Sequence, residues 1–249
     1  MLGSIDRSRD GFSRSVSDAL KRRYKFIDDL YADSEFAAYN FNNIYRGKRL
    51  LVLGGGPTTD TAEWDPANYD HIISCNHFFL HPRLKDINVS MAAVSPEVDV
   101  NREEFVAYYN RFNTVFLINN HDVKDDKVEF FRKNPDRLTI MENRVRLKIG
   151  QGPHLLILAT LFKPHSIDFA GIDGYPQDTK IGDDACHTFE KGKKASGVRH
   201  SYQVYDEHFR IIWEYLLRDA GKDVIYRNLG YGHPYNVSSK YVNVRIPNE

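Results

Sequence analysis

The sequence predicts an α/β protein: a Rossmann-like, mostly parallel sheet with helices on both faces. Three observations carry that expectation. Short apolar runs without polar alternation recur along the chain, as strands buried on both faces require. Segments with helical period separate them, at the spacing of strand–helix–strand units. The first strong run, Leu50-Leu51-Val52-Leu53, ends in Gly54-Gly55-Gly56-Pro57-Thr58, where a backbone without Cβ atoms can turn tightly and approach a ligand. A helix starting near residues 58–60 would aim free amides and a positive dipole end at that ligand, which favours phosphate. The bland alternative is a plain tight strand-to-helix turn.

The chain has 249 residues, of which 41% are hydrophobic and 27% charged, which suits one sizeable domain or a domain with an appendage. Its 34 basic residues balance 34 acidic ones, so no global field steers it to nucleic acid and any anion site is local. Cys75 and Cys186 are too few for a disulfide framework or a cysteine zinc cluster. No apolar run approaches the length of a membrane span, and the charged first thirty residues do not read as a signal peptide. The expectation is a soluble, cytoplasmic protein with at most peripheral contact at the inner face of a membrane.

Residues 1–47 read as an N-terminal helical extension. Val16, Leu20, Tyr24, Ile27, Leu30 and Tyr31 recur at steps of three and four, and a second piece, 35–44, carries Phe36, Tyr39 and Phe41. Its mixed charges favour packing beside the main domain, or against a second copy, over a membrane anchor. The Rossmann-like domain takes 48–249. After the glycine turn comes a short helical or irregular piece, 61–69. Strands are expected at 71–76, 89–94, 114–118, 138–141, 166–173 and 224–226, with a last edge strand at 242–246. Helices are expected at 102–111, 127–133, 152–162 and 205–219. Residues 176–201 break the pattern: this polar, glycine- and lysine-rich stretch reads as a functional lid or a disordered loop.

The glycine turn invites a dinucleotide reading, which fails. No third glycine follows at the required spacing, and the second strand ends in Ser74-Cys75-Asn76 with no acid for a ribose. No Gly-Lys-Ser/Thr follows for a P-loop either. What remains is a series of polar strand ends: Gly54 to Pro57, Asn76, Ser95, Asn119 and Asn120, and Asp173. In an open parallel sheet those ends form the ligand crevice, where Asn and Ser can read a base or ribose by hydrogen bonds. His71, His77, His81 and His121 lack metal-ligand spacing. Asp183-Asp184 lacks a third ligand and reads as solvated, and so do Lys191 to Lys194 unless they meet a phosphate.

Gly54-Gly55-Gly56-Pro57-Thr58, Cys75-Asn76-His77-Phe78, and Gly152 followed by Gly171-Ile172-Asp173-Gly174-Tyr175 together resemble the bacterial sialyltransferases of glycosyltransferase family 42. That family shows Gly-Asn-Gly-Pro-Ser, Cys-Asn-Gln-Phe, Ser-Gly-Val and Gly-Ile-Asp-Phe-Tyr in the same order. The resemblance spans roughly residues 48–226. It implies a sialyltransferase-like variant of the GT-A fold, a lid that orders over the site, and a CMP-activated sugar used without a metal. By position, Gly54, Gly55, Gly56 and Pro57 would lie along the donor, and Asn76 and Ser95 would contact the nucleotide. Gln151 and Gly152 would take the family's Ser-Gly pair at a helix start, with Asp173 beside them. Tyr175 would donate to the leaving phosphate, and His200, followed by Ser201, would be the base of an inverting transfer.

The pattern departs from the family at named positions. Gly55 stands where the family has Asn, and Gln151 where it has Ser. Ile181 falls near the second lid tyrosine, for which Tyr202 can substitute, and His187 is a second candidate base. The resemblance implies a glycan acceptor, as in lipopolysaccharide or capsule synthesis; it leaves oligomeric state open. Two other readings stay compatible with the residues: another nucleotide-dependent transferase or pyrophosphokinase on a related scaffold, and a non-catalytic nucleotide- or glycan-binding module.

Overall fold

The computed structural model of the chain describes residues 31–32, 43–119, 122–141, 150–176, 178–195, 202–203, 205, 209, 212 and 223–230. Among them are eight strands: β1 (Tyr31–Ala32), β2 (Arg49–Leu53), β3 (His71–Cys75), β4 (Met91–Ala93), β5 (Val115–Asn119), β6 (Leu138–Met141), β7 (Ser166–Ala170) and β8 (Ile225–Asn228). They form one sheet in the order β1-β6-β5-β4-β3-β2-β7-β8, and every adjacent pair is parallel. The α/β expectation holds.

The centre of the sheet follows from the apolar runs. Leu50, Leu51, Val52 and Leu53 are all fully buried, as a strand covered on both faces must be. The long helix α4 (Gln151–Leu161) lies against β2, β3 and β7. Its residues from Leu155 to Thr160 are buried without interruption, so it is a core helix rather than an amphipathic one. Helix α2 (Glu103–Arg111) instead buries one face, through Phe105, Tyr108 and Tyr109. Its acidic first turn and basic last residue suit the helix dipole. Helix α3 (Asp125–Phe131) adds Phe131, which joins Phe105, Tyr109, Phe116 and Phe130 in edge-to-face and tilted ring contacts. Arg137 lies 3.6 Å over the Tyr109 ring and donates to the carbonyls of Tyr109, Phe112 and Thr114, tying the end of α2 to the entry of β6.

The differences from expectation have local causes. Tyr31 and Ala32, placed by periodicity at the end of a helix, pair with Ile140 and Met141 as an edge strand; two residues are too few to show a strand period. Residues 43–45 of the N-terminal extension are helical; residues 1–30 and 33–42 lie outside the described residues, as does the expected strand at 242–246. Strand β7 stops at Ala170 because Gly171 takes φ +70° and turns the chain. The stretch after the glycines contains a single helical turn, α1 (Thr58–Thr61), and a 3-10 turn at Pro66–Asn68. Of the expected helix at 205–219, the described residues Tyr205, Phe209 and Ile212 are helical and buried. Among the described residues no helix is long and apolar enough to cross a membrane.

Topology places the site. From β2 the sheet grows through β3, β4, β5 and β6 on one side, and the chain then returns to set β7 against the other side of β2. In such sheets the crevice opens where the order reverses, outside the carboxyl ends of the strands. Here that point lies between Gly54 and Gly171.

Candidate active site

The glycine turn is folded onto the end of β7. Gly54 N–H donates to Ala170 O at 2.9 Å, and Gly56 N–H to Gly171 O at 2.8 Å. A Cβ on Gly54 would sit 2.3 Å from Gly171 O, and one on Gly56 would sit 2.4 Å from Asp173 Oδ2. The glycines are therefore needed for backbone-to-backbone approach. Buried Asp173 accepts from Thr58 N–H at 2.9 Å and from the Thr58 hydroxyl, while Gly171 N–H donates to Thr58 Oγ1 at 2.7 Å. Free amides at the start of α1 were the expectation, and this corrects it. The first amide of that single turn is capped by a carboxylate, so the turn is not an anion cradle. Asp173 thereby acts as a clamp between the two switch-point loops.

At the switch point, a helix start without a side-chain cap is that of α4. Gly150 precedes it with no side-chain cap, and the eleven-residue helix carries the dipole that α1 lacks. Gln151 Oε1 is buried there without a hydrogen-bond partner. Gly152 is held close: a Cβ on it would meet Ile172 Cγ1 at 3.2 Å and Gly54 Cα at 3.7 Å. Across the crevice Asn76 adopts φ +52°, a conformation Asn tolerates better than most residues. Its N–H donates to Ala93 O at 2.7 Å, and its Oδ1 accepts from Ser95 N–H at 3.0 Å. Asn76 and Ser95 thus splice the ends of β3 and β4, with one side of the Asn amide already spent.

Tyr175 follows the β7 turn. Its ring meets that of Tyr205 edge-to-face, with centroids 5.0 Å apart, and a hydrogen bond links the two hydroxyls. Burial raises the Tyr175 phenol to about 12, against a smaller opposing pull from the Lys193 charge. It stays protonated at any working pH. Burial likewise pushes the Cys75 thiol up to about 12, so that cysteine is an inert part of the floor.

The expected lid is folded over the turn. Thr188 N–H donates to Gly55 O at 2.8 Å, and Phe189 is buried against the core. The His187 ring fills the space above Gly55: a Cβ there would lie 2.2 Å from Cε1 and 2.4 Å from Nε2. The departure at residue 55 thus has a structural counterpart, because the ring occupies the volume a side chain at that position would take. His187 Nδ1 is buried without a hydrogen-bond partner. Burial, followed by the Lys193 charge, pushes this imidazole down to about 4, so it is neutral near pH 7.

Among the described residues, Lys193 brings a cation to the site. Its Nζ lies 3.0 Å from Glu97 Oε1 and 2.9 Å from Glu190 Oε2. Burial opposes its charge, but the two carboxylates outweigh burial and raise its pKa. Conversely, burial would raise the Glu97 carboxyl, and the hydrogen bond and charge of Lys193 hold it below the ordinary value. Its neighbours Lys191 and Lys194 are exposed, as are Asp183 and Asp184, in line with the solvated reading for those four. Lys193 departs from that reading.

Of the residues named from sequence, the structure brings Gly54, Gly55, Gly56, Pro57, Asn76, Ser95, Gln151, Gly152, Asp173 and Tyr175 to the carboxyl ends of the strands. Tyr202 packs partly buried against the core. His200 and Ser201 lie outside the described residues, and so do Asn120 and His121. Glu97, Glu190 and Tyr205 were missed, because each gains a role only through partners distant in sequence.

No family model matches this sequence, and no curated protein does. Solved structures do resemble it. One is a variant of the sialyltransferase Cst-II in complex with CMP: TM-score 0.52 and 14% identity, covering 78% of this chain and 85% of that one. Another is the monofunctional alpha-2,3-sialyltransferase Cst-I from Campylobacter jejuni: TM-score 0.50 and 15% identity, covering 80% of this chain and 82% of that one. The chain has the fold of these sialyltransferases.

Proposed function

We propose that the protein is an inverting glycosyltransferase that moves a sugar, sialic acid or a relative, from a CMP-activated donor to a glycan hydroxyl. The single observation that carries this reading is a protonated, half-buried Tyr175 at the switch point of the sheet, packed on Tyr205, whose hydroxyl lies 3.3 Å from where a Cβ on Gly150 would stand at the start of α4. The fold likeness to sialyltransferases, one of them in complex with CMP, supports the choice of donor.

In this reading the donor lies across the strand ends. Its phosphate meets the first amides of α4, and the Asn76 Nδ2 protons meet the nucleotide. The acceptor oxygen bonds to the anomeric carbon as the bond from that carbon to the phosphate oxygen breaks. Tyr175 donates its O–H to the departing phosphate. The hydrogen-bonded Tyr205 beside it holds the phenol in place for that donation. No step calls for a metal ion. The acceptor proton passes to an imidazole, which the family resemblance assigns to His200. His187, neutral and above the turn, is the alternative base.

Calorimetry with CMP, UDP, GDP and ATP tests the donor class. CMP should bind tightest; a clear preference for any of the other three sinks the proposal.

A further inference from the structure

Lys193 holds two carboxylates, yet the cluster around it is not fully answered. Glu97 and Glu190 bring two negative charges and the ammonium one positive, which leaves one negative charge in a half-buried place. His77 joins them from the end of β3. Only 7% of this residue is exposed, and its Nδ1 is buried with no hydrogen-bond partner. That nitrogen points into the cluster, 3.7 Å from Glu190 Oε2. One ligand atom from each of His77, Glu97 and Glu190 falls within 4.8 Å of the other two. An imidazole nitrogen and two carboxylates form the donor set of a borderline divalent ion such as Zn2+. A divalent ion would cancel both carboxylate charges and also engage the orphan nitrogen, which the ammonium does not.

We propose that His77, Glu97 and Glu190 form a cation site that Lys193 fills from within the chain, and that a divalent transition-metal ion takes the ammonium's place when Lys193 is removed. The three donors come from the β3 end, the loop after β4 and the lid, so whichever cation sits there ties the lid to the sheet. Metal–ligand bonds of about 2.0–2.2 Å set tetrahedral ligand atoms roughly 3.4 Å apart. The donors must therefore close in from up to 4.8 Å. The Glu97 and Glu190 side chains, 49% and 40% exposed, have the freedom to do so by changing rotamer, and water completes the shell. The inference does not rest on the proposed transfer reaction, since it needs neither donor nor acceptor.

The test uses the full chain and Zn2+ alone, in calorimetry and in hydrogen exchange of residues 184–195. Lys193→Ala should lose lid protection relative to wild type. It should also bind one equivalent of Zn2+ at least about tenfold more tightly than wild type does, because no ammonium competes. Zn2+ should return the protection. Adding Glu190→Gln should abolish both effects, which separates this site from adventitious histidines elsewhere. Lys193→Met, which keeps the aliphatic stem, controls for lost packing and should also lose protection. The proposal is overturned by unchanged lid protection in Lys193→Met, by Zn2+ affinity no tighter in Lys193→Ala than in wild type, or by binding that survives Glu190→Gln. A CMP-binding result of either sign leaves these outcomes unaffected.

Discussion

Gly54 and Gly55 are adjacent, but a methyl group added to each should have opposite fates. At Gly54 the new Cβ meets Gly171 O at 2.3 Å and Gly171 C at 2.9 Å, both backbone atoms at the end of β7. Relief requires parting β2 from β7, which breaks the Gly54-to-Ala170 and Gly56-to-Gly171 hydrogen bonds. Overpacking costs about 1–3 kcal/mol, and each buried group left unpaired adds about 1–3 kcal/mol, so Gly54→Ala should lose roughly 4 kcal/mol or more. At Gly55 the nearest atoms to the Cβ all belong to the His187 ring, at 2.2 to 2.9 Å, and a side-chain tip can swing away. Gly55→Ala should therefore cost under about 1.5 kcal/mol globally while displacing the lid from Gly55. His187→Ala should relieve the clash, giving a favourable coupling of about 1–2 kcal/mol in the double-mutant cycle. Urea unfolding reads the global cost, and hydrogen exchange at Thr188, whose amide donates to Gly55 O, reads the lid. Equal losses for Gly54→Ala and Gly55→Ala would refute the reasoning, as would strict additivity of Gly55→Ala with His187→Ala.

Other consequences are open to measurement. Because the folded His187 titrates near 4, the unfolded chain binds a proton that the folded chain refuses between about pH 6.5 and 4. Stability should therefore be fully present above pH 6.5 and fall on acidification by up to roughly 3 kcal/mol from this group; His187→Gln should flatten the slope of urea midpoints against pH. Asp173→Ala leaves the Thr58 amide and hydroxyl without their acceptor and should cost about 3 kcal/mol, visible as a lowered midpoint with an unchanged m-value. Tyr175→Phe removes only the hydroxyl, so turnover of a CMP-sugar should fall about a hundredfold with CMP affinity little changed; an equal loss in both would assign Tyr175 to ground-state binding instead.

The sheet was legible because its strands are buried on both faces, which writes Leu50 to Leu53 and Ile167 to Ala170 as unbroken apolar or near-apolar runs. The long α4 was legible for the same reason. The glycine turn announced a close approach, but what approaches it was not written nearby. Its partners are Gly171 and Asp173, more than a hundred residues on, and only topology sets them against Gly56 and Thr58. That is why the turn looked like a phosphate cradle when its Gly54, Gly56 and Thr58 amides are spent internally. Lys193 was hidden in a similar way. Between Lys191 and Lys194 it reads as one more solvated charge, and its distinction lies in Glu97, ninety-six positions earlier. Local pattern reports burial well; it does not report which distant carboxylate a lysine meets.

The central claim is tested most directly by incubating the protein with CMP-sialic acid and a glycan acceptor, and following CMP release and the anomeric configuration of the transferred sugar by NMR. The account predicts stoichiometric CMP release with inverted configuration in the product, strongly reduced in Tyr175→Phe. Retained configuration, or release as fast in Tyr175→Phe as in wild type, would contradict it.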